Sequence, residues 1–267
     1  MKNKVVIITG ASSGIGKALS LSFFNRGARL VLVARTESKL IELTSYINNL
    51  GGDAIYVIAD VSEKLDCSKV VNYAVDKFGG IDILVNNAGI SMRALFTDLD
   101  FLDFEKVMDI NFYGTIYMTK YALEHILVNK GSIVGVSSIA GHKGLPARTA
   151  YSASKFAMTG FLEALRIENL KRNLHVLIAS PGFTASNIRQ NALNSSGKNQ
   201  KESPRDEKKM MSAEEVAECI VFAIIKRRNT LVLTFQGRLL VFLNKFFPNL
   251  VDRLVFKNLS KEKNSPF

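Results

Sequence analysis

The sequence is poor in the residues that build disulfide frameworks and metal centres. Its 267 residues include only two cysteines, Cys67 and Cys219, which lie far apart and match no metal-binding spacing. We therefore expect reduced thiols in a reducing compartment and a fold that needs no covalent cross-link. The three histidines have no metal-binding spacing either, so we expect no metal ion and no catalytic histidine; they are His125, His142 and His175.

Long apolar runs are also lacking. The run at the N-terminus covers residues 5–8 before Gly10, which is too short for the core of a signal peptide. No run approaches the roughly 18 residues of a membrane-spanning helix. We therefore expect a cytoplasmic protein, or one that contacts a membrane only peripherally from the cytoplasmic side.

The composition is that of a folded globular protein, with 47% hydrophobic and 22% charged residues, which excludes collagen and a disordered chain. The net charge of +11 is uneven, because residues 1–150 carry +2 and residues 151–267 carry +9. Such a basic surface attracts lipid headgroups, an acidic carrier protein or nucleic acid, or is simply solvated. Only charge supports nucleic-acid binding, so we expect no nucleic-acid partner.

Short apolar runs alternate with longer amphipathic segments over most of the chain. The runs are rich in Val and Ile and have the length of strands that are covered on both faces. The alternation predicts an α/β fold with one open parallel sheet between two helix layers, and we expect residues 1–267 to form a single domain. The predicted strands are residues 5–9, 29–34, 54–59, 81–85, 132–137, 175–179 and 231–234, and the predicted helices include 14–26, 103–129, 150–171 and 213–227.

Two segments interrupt this alternation. Residues 187–212 are polar and too long for a simple connector, which indicates a disordered insertion or a lid over an active site. Residues 236–267 form a C-terminal extension with apolar residues at helical intervals, interspersed basic residues and an interruption at Pro248. This amphipathic stretch lies in a membrane interface or packs on the protein body or a partner subunit, and both interpretations stay open. We expect the last seven residues to form a loose tail.

A glycine-rich turn follows the first predicted strand and opens the first predicted helix. Gly10 permits a tight turn, Gly14 lets the backbone approach a pyrophosphate, and Gly16 lets the helix pack closely on the strand. The free N–H groups at the start of the helix then face the anion. This context predicts a dinucleotide site whose turn contacts come from Gly10, Ser12, Ser13, Gly14, Ile15 and Gly16.

The end of the second predicted strand indicates which dinucleotide is bound. Arg35 stands where NAD-binding proteins carry an acidic residue that accepts a hydrogen bond from the ribose 2′-hydroxyl. A guanidinium group suits a 2′-phosphate instead, so we expect NADP(H) to be preferred over NAD(H). The alternative is an arginine that only faces solvent, and Glu37 two residues later argues for caution. Asp60 and Val61, after the third strand, are expected to contact the adenine edge.

In their order and spacing, these and later motifs resemble those of the short-chain dehydrogenase/reductase family over residues 3–235. The resemblance implies a Rossmann fold with seven parallel strands, a homodimer or homotetramer, and an oxidoreductase similar to the NADP(H)-preferring carbonyl reductases and hydroxysteroid dehydrogenases. Such an enzyme transfers a hydride between NADP(H) and a carbonyl or secondary alcohol. The motifs are Thr9-Gly10-x-x-x-Gly14-x-Gly16, Asp60, Asn86-Asn87-Ala88-Gly89, Asn111, Ser138, Tyr151-x-x-x-Lys155 and Pro181-Gly182.

Four residues are candidates for catalysis. Tyr151 and Lys155 are four residues apart on a predicted helix and share one face. Because free tyrosine titrates at about pH 10, we expect the Lys155 ammonium to lower the pKa of Tyr151 so that the phenol acts as general acid and base. Ser138, past the fifth strand, is placed to bond the substrate carbonyl. The resemblance implies that Asn111 holds a water behind Lys155.

The resemblance also implies the remaining contacts of the cofactor. Tyr151 and Lys155 lie beside the nicotinamide ribose, three residues line the adenosine ribose side, and four hold the carboxamide end. A mainly apolar pocket suits a small-molecule ketone or alcohol such as a lipid or steroid. The ribose-side residues are Asn87, Ala88 and Gly89, the carboxamide-side residues are Pro181, Gly182, Phe183 and Thr184, and the candidate pocket residues are Met92, Arg93, Leu145, Phe183 and Ile188.

Two other functions stay open. A 3-oxoacyl-carrier-protein reductase would use the basic surface to meet an acidic carrier, although the long lid and the C-terminal extension exceed the compact pattern of those reductases. A non-catalytic dinucleotide sensor would bind the cofactor and signal through the lid. A sensor has no need for the complete set of Asn111, Ser138, Tyr151 and Lys155, which favours the enzyme.

Overall fold

Strands and helices alternate along the chain in the computed structural model, which describes residues 1–185, 188–203 and 210–267. The strands are short because each crosses one sheet between two helix layers. They are β1 (Val5–Thr9), β2 (Arg29–Ala34), β3 (Asp53–Ile58), β4 (Ile83–Asn86), β5 (Ser132–Val136), β6 (His175–Ser180) and β7 (Thr230–Val232).

The helices fill the connections between these strands. Short 3₁₀ turns cover Phe96–Asp98, Ile139–Gly141 and Leu170–Arg172, and a π-helical turn covers Asp109–Tyr113. The α-helices are α1 (Gly14–Phe24), α2 (Glu37–Asn49), α3 (Lys64–Phe78), α4 (Phe101–Met108), α5 (Gly114–Val128), α6 (Thr149–Glu168), α7 (Ala213–Ile225), α8 (Phe235–Phe246) and α9 (Pro248–Leu259).

All seven strands are parallel and belong to one sheet of order β3-β2-β1-β4-β5-β6-β7. β1 lies in the middle, where Ile8 is in register with Leu32 of β2 and Val85 of β4. The order of the strands reverses between β1 and β4. In a sheet of this kind, the reversal opens a crevice beyond the carboxyl ends of the strands, and ligands bind there.

Two apolar layers enclose the sheet. Along β1, Ile8 faces a layer built with α1, α2 and α7, and Ile7 faces a layer built with α3, α5 and α6. Successive side chains of a strand point to opposite faces, so a strand covered on both faces is apolar at every position. All five residues of β1 are buried accordingly. Burial of apolar area at roughly 25 cal/mol per Å² is the main source of stability for such a sheet.

The predicted strands are confirmed, each within two residues of its observed ends. The α/β fold with one doubly wound, seven-stranded parallel sheet is confirmed with them. The helix predicted over residues 103–129 is instead divided into α4, the π-helical turn and α5. A single π-helical turn inside a helix rotates the side chains beyond it and often marks a functional position. The single-domain assignment for residues 1–267 stays a prediction.

The predicted lid lies partly outside the described residues, which exclude Asn187 and residues 204–209. Of the rest, Leu193 pairs with the loop after β4: its N–H donates to the carbonyl of Ser91 at 3.0 Å, and its carbonyl accepts from the N–H of Arg93 at 2.7 Å. Near the other end, the N–H of Ala185 donates to the carbonyl of Met211 at 2.9 Å. The described parts of residues 187–212 are thus bonded to loops at the carboxyl edge of the sheet.

The C-terminal extension forms the helical pair α8–α9, and Pro248 takes the first position of α9, where its missing N–H costs nothing. Its inner residues pack together and against Leu145. The prediction of a loose tail is wrong, because Glu262 is buried and ion-paired with the body. No helix in the described ranges is both long and apolar enough to cross a membrane. Large apolar side chains of this pair remain exposed. Phe235 and Leu254 lie at the cavity, and the others are Phe242, Phe246, Phe247, Leu250 and Phe256.

The contact between α6 and the sheet yields a stability prediction. Leu162 of α6 is fully buried, and its side chain fills the space above Gly135 of β5. Leu162→Ala should lower the free energy of unfolding by about 2–5 kcal/mol in urea denaturation. The matched control is Leu170→Ala, because Leu170 is exposed, and it should change stability by no more than about 0.5 kcal/mol. Equal losses in the two variants would contradict the proposed packing.

Candidate active site

The glycine turn between β1 and α1 has the backbone that its glycines allow. Gly10 and Gly14 have φ of 66° and 53°, in the left-handed region. A Cβ on Gly16 would collide with the carbonyl oxygen of Gly10, so only glycine lets the helix pack this close. Ser13 precedes α1 without capping it through its side chain. The first N–H groups of α1 thus lie at the crevice, where they suit a phosphate anion.

A hydrogen-bond network ties this turn to the end of β4. The hydroxyl of Thr9 accepts from the N–H groups of Asn87 and Ala88, both at 3.0 Å. The side-chain amide of Asn87 donates to the carbonyl of Thr9 at 2.9 Å. Thr9 entered the sequence analysis only as part of a motif, and its role in joining two loops at the strand reversal depends on contacts across 78 positions of the chain.

Arg35 and Asp60 lie together at the ends of β2 and β3. The guanidinium of Arg35 is 59% exposed and donates to a carboxylate oxygen of Asp60 at 3.4 Å. Partial burial alone would raise the pKa of Asp60, but hydrogen bonds from Ser62 and the charge of Arg35 lower that pKa overall. An exposed guanidinium at this edge is accessible to a phosphate. The side chain of Val61 is buried against Gly114, so only its backbone is available to an adenine.

Asn111 lies in the π-helical turn and is fully buried. Its amide oxygen accepts from the N–H of Ile90 at 2.8 Å, and its nitrogen donates to the carbonyl of Ile90 at 2.9 Å and to the hydroxyl of Ser154 at 2.9 Å. A Cβ on Gly89 would lie 3.0 Å from the Asn111 amide oxygen and 3.5 Å from Nζ of Lys155. The structure therefore brings Asn111 next to Lys155. The predicted water between them stays a prediction.

Lys155 is buried on α6, and its Nζ donates to the carbonyl of Val136 at the end of β5, at 2.9 Å. Burial lowers the pKa of Lys155 to about 8, because an ammonium loses its hydration there. Nζ lies 5.8 Å from the centre of the Tyr151 ring. The i, i+4 spacing thus produces the shared face that the sequence predicts.

Tyr151 is almost completely buried, and the Ser138 side chain lies near its hydroxyl. Burial raises the pKa of Tyr151, while the neighbouring Ser138 side chain and the charges of Arg148 and Arg189 act in the opposite direction. The prediction that the pKa of Tyr151 is lowered is therefore wrong, because desolvation of the phenolate outweighs the neighbouring charges. Arg148 and Arg189 escaped the sequence analysis, since neither belongs to a motif.

Ser138 follows β5, and its hydroxyl accepts from the N–H of Ala140 at 3.1 Å, which fixes the serine at the start of a 3₁₀ turn. Across the crevice, Pro181 accepts from the N–H of Ile139 at 3.2 Å. Thr184 is buried, and its hydroxyl donates to the carbonyl of Gly182 at 3.2 Å. The loop after β6 is thereby joined to the loop that carries Ser138.

One cavity of about 1130 Å³ connects these elements. It extends from the glycine turn to helices α8 and α9, which supply apolar side chains such as Leu240 and Leu243. Among the described residues, no group of three or more potential ligands is arranged to hold a metal ion. The predicted site residues that line the cavity are Ile15, Asn87, Gly89, Ser138, Tyr151, Lys155, Pro181, Gly182, Phe183 and Thr184.

The remaining predicted residues lie outside the cavity wall, as far as the described residues define it. Several of them build the glycine turn and the edge of the crevice. Leu145 and Ile188 line the cavity as predicted for the substrate pocket, whereas Met92 packs behind Tyr151 and Arg93 contacts Glu262. The residues outside the wall are Gly10, Ser12, Ser13, Gly14, Gly16, Arg35, Asp60, Val61, Ala88 and Asn111.

This arrangement fits a dinucleotide. A positive helix start lies at one end of the crevice, an exposed guanidinium lies at its edge, and the cavity leads from Ile15 to a buried ammonium at Lys155. The N–H groups of the helix start suit a pyrophosphate, and the ammonium suits ribose hydroxyls. Whether each residue takes its predicted part is a proposal.

The lowered pKa of Lys155 gives a pH-dependent stability prediction. Below about pH 8 the lysine is charged in both states, so the folded protein bears the full cost of the buried ammonium; above its ordinary pKa of 10.5 the cost vanishes. Relative to Lys155→Met, the cofactor-free wild type should therefore gain about 3 kcal/mol in unfolding free energy as the pH rises from 8 to 10.5. Urea denaturation at several pH values between 8 and 10.5 measures the unfolding free energy of both proteins. For the exposed control Lys39→Met, the difference in unfolding free energy from the wild type should not change with pH.

The chain is similar in sequence to known dehydrogenases. The family model described as short chain dehydrogenase matches residues 4–196. A protein of Sesamum indicum named 11-beta-hydroxysteroid dehydrogenase A is 41% identical over 196 residues, 73% of this chain and 56% of that protein. A protein of Mus musculus named Dehydrogenase/reductase SDR family member 7B is 33% identical over 274 residues, which cover 99% of this chain and 84% of that protein.

A solved structure supports the fold. The crystal structure of a short chain dehydrogenase/reductase from Burkholderia phymatum in complex with NAD has a TM-score of 0.84 and 22% identity, and it covers 93% of this chain and 95% of that one. The match to the sesame relative spans little more than half of that protein's length. The family model, in contrast, takes in the glycine turn, Asn111, Ser138, Tyr151 and Lys155. The chain therefore belongs to the short chain dehydrogenase family.

Proposed function

We propose that this member of an oxidoreductase family is an NADP(H)-dependent reductase or dehydrogenase that interconverts a carbonyl compound and a secondary alcohol. The observation that carries the proposal is the meeting of Ser138, Tyr151 and Lys155 at one cavity. A hydroxyl, a phenol and an ammonium on one wall provide a hydrogen-bond donor, a proton carrier and a positive charge, which are the groups that proton transfer to a carbonyl oxygen needs.

The protein's own part in the reaction is binding and proton transfer. In the reductive direction, the Tyr151 hydroxyl gives its proton to the carbonyl oxygen, and Ser138 donates a hydrogen bond to that oxygen as negative charge develops. When bound, the nicotinamide dinucleotide supplies or accepts the hydride. Lys155, fixed by the carbonyl of Val136, bonds the ribose hydroxyls and keeps a positive charge near the phenol.

The high pKa of Tyr151 in the described protein fits the role of an acid in reduction, because the phenol is protonated at neutral pH. In the oxidative direction the phenolate must form, and the charges of Arg148 and Arg189 favour it there. Asn111 anchors the loop at Ile90, which keeps Gly89 and Lys155 in contact. Asn111 is thus proposed as the support of the catalytic group.

NADP(H) is proposed over NAD(H) because of Arg35. Its guanidinium is exposed at the crevice edge and is held in position by Asp60. A 2′-phosphate offers it a charge-assisted, bidentate contact, whereas a free 2′-hydroxyl offers one acceptor. The exposed Glu37 at the start of α2 is the competing group, since a carboxylate accepts from a 2′-hydroxyl.

An apolar substrate is proposed from the outer part of the cavity. Leu145, Ile188 and the inner residues of α8 and α9 form this part. A lipid, a steroid or another bulky ketone suits such a wall, and the name of the sesame relative is consistent with a steroid. A 3-oxoacyl-carrier-protein reductase remains the alternative enzyme, and a dinucleotide sensor the alternative outside catalysis. The carrier-protein reductase does not account for the apolar wall from α8–α9, and a sensor has no need for the four residues around Lys155.

Three further expectations stay predictions. A homodimer or homotetramer is expected from the family, and a cytoplasmic location with peripheral membrane contact from the sequence. The exposed phenylalanines of α8 and α9, together with Arg238, Lys245 and Lys257, are consistent with an anionic lipid surface. The inner faces of the same helices pack on the body, whereas membrane contact of the outer faces stays a prediction.

Tyr151→Phe tests the proton carrier. Removing the phenolic oxygen should lower kcat for any accepted ketone by about 10²- to 10⁴-fold, because the substrate oxygen loses its proton donor. The dissociation constant for NADPH, measured by nicotinamide fluorescence, should stay within about twofold, since the ring is retained. A screen of ketones and alcohols, followed by nicotinamide absorbance, supplies the substrate. Turnover that survives the substitution would contradict the role of Tyr151.

Arg35→Asp tests the cofactor preference. The variant should bind NADPH about 10- to 100-fold more weakly and NADH no more weakly, because the carboxylate repels a 2′-phosphate and accepts from a 2′-hydroxyl. The ratio of kcat/KM for the two cofactors measures the change. Glu37→Gln is the matched control and should move the ratio towards NADPH. A wild-type protein that already prefers NADH would contradict the proposed binding of a 2′-phosphate by Arg35.

A further inference from the structure

The segment after α9 carries an acidic residue in an unusual environment. Glu262 is buried, with 4% of its side chain exposed, although only five residues of the sequence follow it. Buried carboxylates are rare unless cations or hydrogen-bond donors compensate the lost hydration. Its surroundings supply two cations from distant parts of the sequence.

Glu262 lies between two buried arginines. Its Oε2 is 3.5 Å from Nη2 of Arg93 and 3.6 Å from Nη2 of Arg148, and both guanidinium groups are at most 9% exposed. Arg93 also donates to the backbone carbonyl of Lys263 at 2.9 Å. The tail is thus bound through a side chain and through its backbone. On the outside, Nζ of Lys263 lies 3.2 Å from a carboxylate oxygen of Glu202.

The two arginines belong to the substrate side of the site. Arg148 is the last residue before α6, three positions ahead of Tyr151, and it lines the cavity. Arg93 is in the loop after β4, and the next residue, Ala94, donates to the carbonyl of Ala147 at 3.1 Å. One carboxylate therefore joins the tail to the two loops that flank the start of the catalytic helix.

The tail is itself part of the cavity wall. Leu259, Lys261 and Glu262 line the same cavity as Tyr151. If the ion pairs hold this segment, they also fix how far the cavity extends beside the phenol. The preceding helix α9 is held by the apolar packing of Val251, Val255 and Leu259 and by an ion pair between Lys143 and Asp252.

We propose that Glu262, through its buried ion pairs with Arg93 and Arg148, is a specificity-determining residue that fixes the C-terminal tail as a wall of the substrate cavity. The proposal rests on the proposed function for its substrate, but the closure of the wall does not depend on catalysis. Loss of the carboxylate frees residues 260–267, widens the cavity and favours bulkier substrates over small ones.

The first test measures the wall without turnover. Leu145→Cys is introduced together with Cys219→Ser, so that the remaining native thiol, Cys67, is buried. The rates at which iodoacetamide and fluorescein maleimide alkylate the thiol introduced by Leu145→Cys are compared with and without Glu262→Gln. The ratio of bulky to small reagent should rise about fivefold or more in the variant, and hydrogen exchange at residues 260–265 should accelerate about tenfold. Glu105→Gln, on the exposed face of α4, is the matched control and should change neither.

The second test measures selectivity. For Glu262→Gln, the ratio of kcat/KM for a steroid ketone to that for cyclohexanone should rise about fivefold through KM, with the dissociation constant for NADPH unchanged within about twofold. If this variant fails to fold, Arg93→Lys keeps the charge but weakens the bond to Lys263, and it should shift both ratios in the same direction by less.

The outcomes separate the two proposals. An unchanged alkylation ratio in Glu262→Gln, or a freed tail with unchanged substrate selectivity, would overturn the assignment of Glu262 while leaving the proposed reductase intact. A wild-type protein that binds no nicotinamide dinucleotide and reduces no ketone would overturn the proposed function and with it the role in specificity. In that case the alkylation and exchange data still decide whether Glu262 closes the wall.

Discussion

The candidate site depends on one buried ammonium group. Nζ of Lys155 is held by the carbonyl of Val136, at the carboxyl end of β5, where water no longer compensates its charge. This placement requires α6 to approach the sheet closely, and Gly135 permits the approach because any side chain there would meet Leu162. The position of Tyr151 one turn earlier follows from the same helix. A packing contact on the sheet thus sets the distance between the groups to which we assign proton transfer.

The order of the strands supplies the other half of the site. Because the order of the strands reverses between β1 and β4, the loops after these two strands diverge and leave a crevice. Thr9 and Asn87 connect the two loops across that crevice, so the glycine turn and the residues that lead to Gly89 form one rigid edge. Lys155 approaches Gly89 from the opposite side. The groups that we propose for the phosphate end and for the reactive end of a dinucleotide therefore lie along one edge of the sheet.

Much of this arrangement could be predicted from the sequence, because its signals are local. A strand covered on both faces is apolar throughout, as in β1, and the glycines at positions 10 and 14 are required by backbone geometry at those positions. The π-helical turn around Asn111 was not predicted, since the hydrogen bonds that Asn111 makes there go to Ile90, 21 positions away. The pKa of Tyr151 was predicted in the wrong direction, because spacing shows a neighbouring charge but not the depth of burial.

The substrate side was the hardest to predict, and for the same physical reason. Arg93, Arg148 and Glu262 are brought together over 169 positions of the chain, and the segment with Lys261, Lys263, Asn264 and Pro266 has the composition of a loose end. Ion pairs of this kind contribute little at a surface, but inside a protein the loss of one partner leaves an uncompensated charge. In the intact protein, the free energy needed to bury these charges is offset by the apolar area that the two layers around the sheet bury. The residues assigned to the chemistry thus belong to local motifs, while the shape of the cavity depends on long-range contacts that no motif shows.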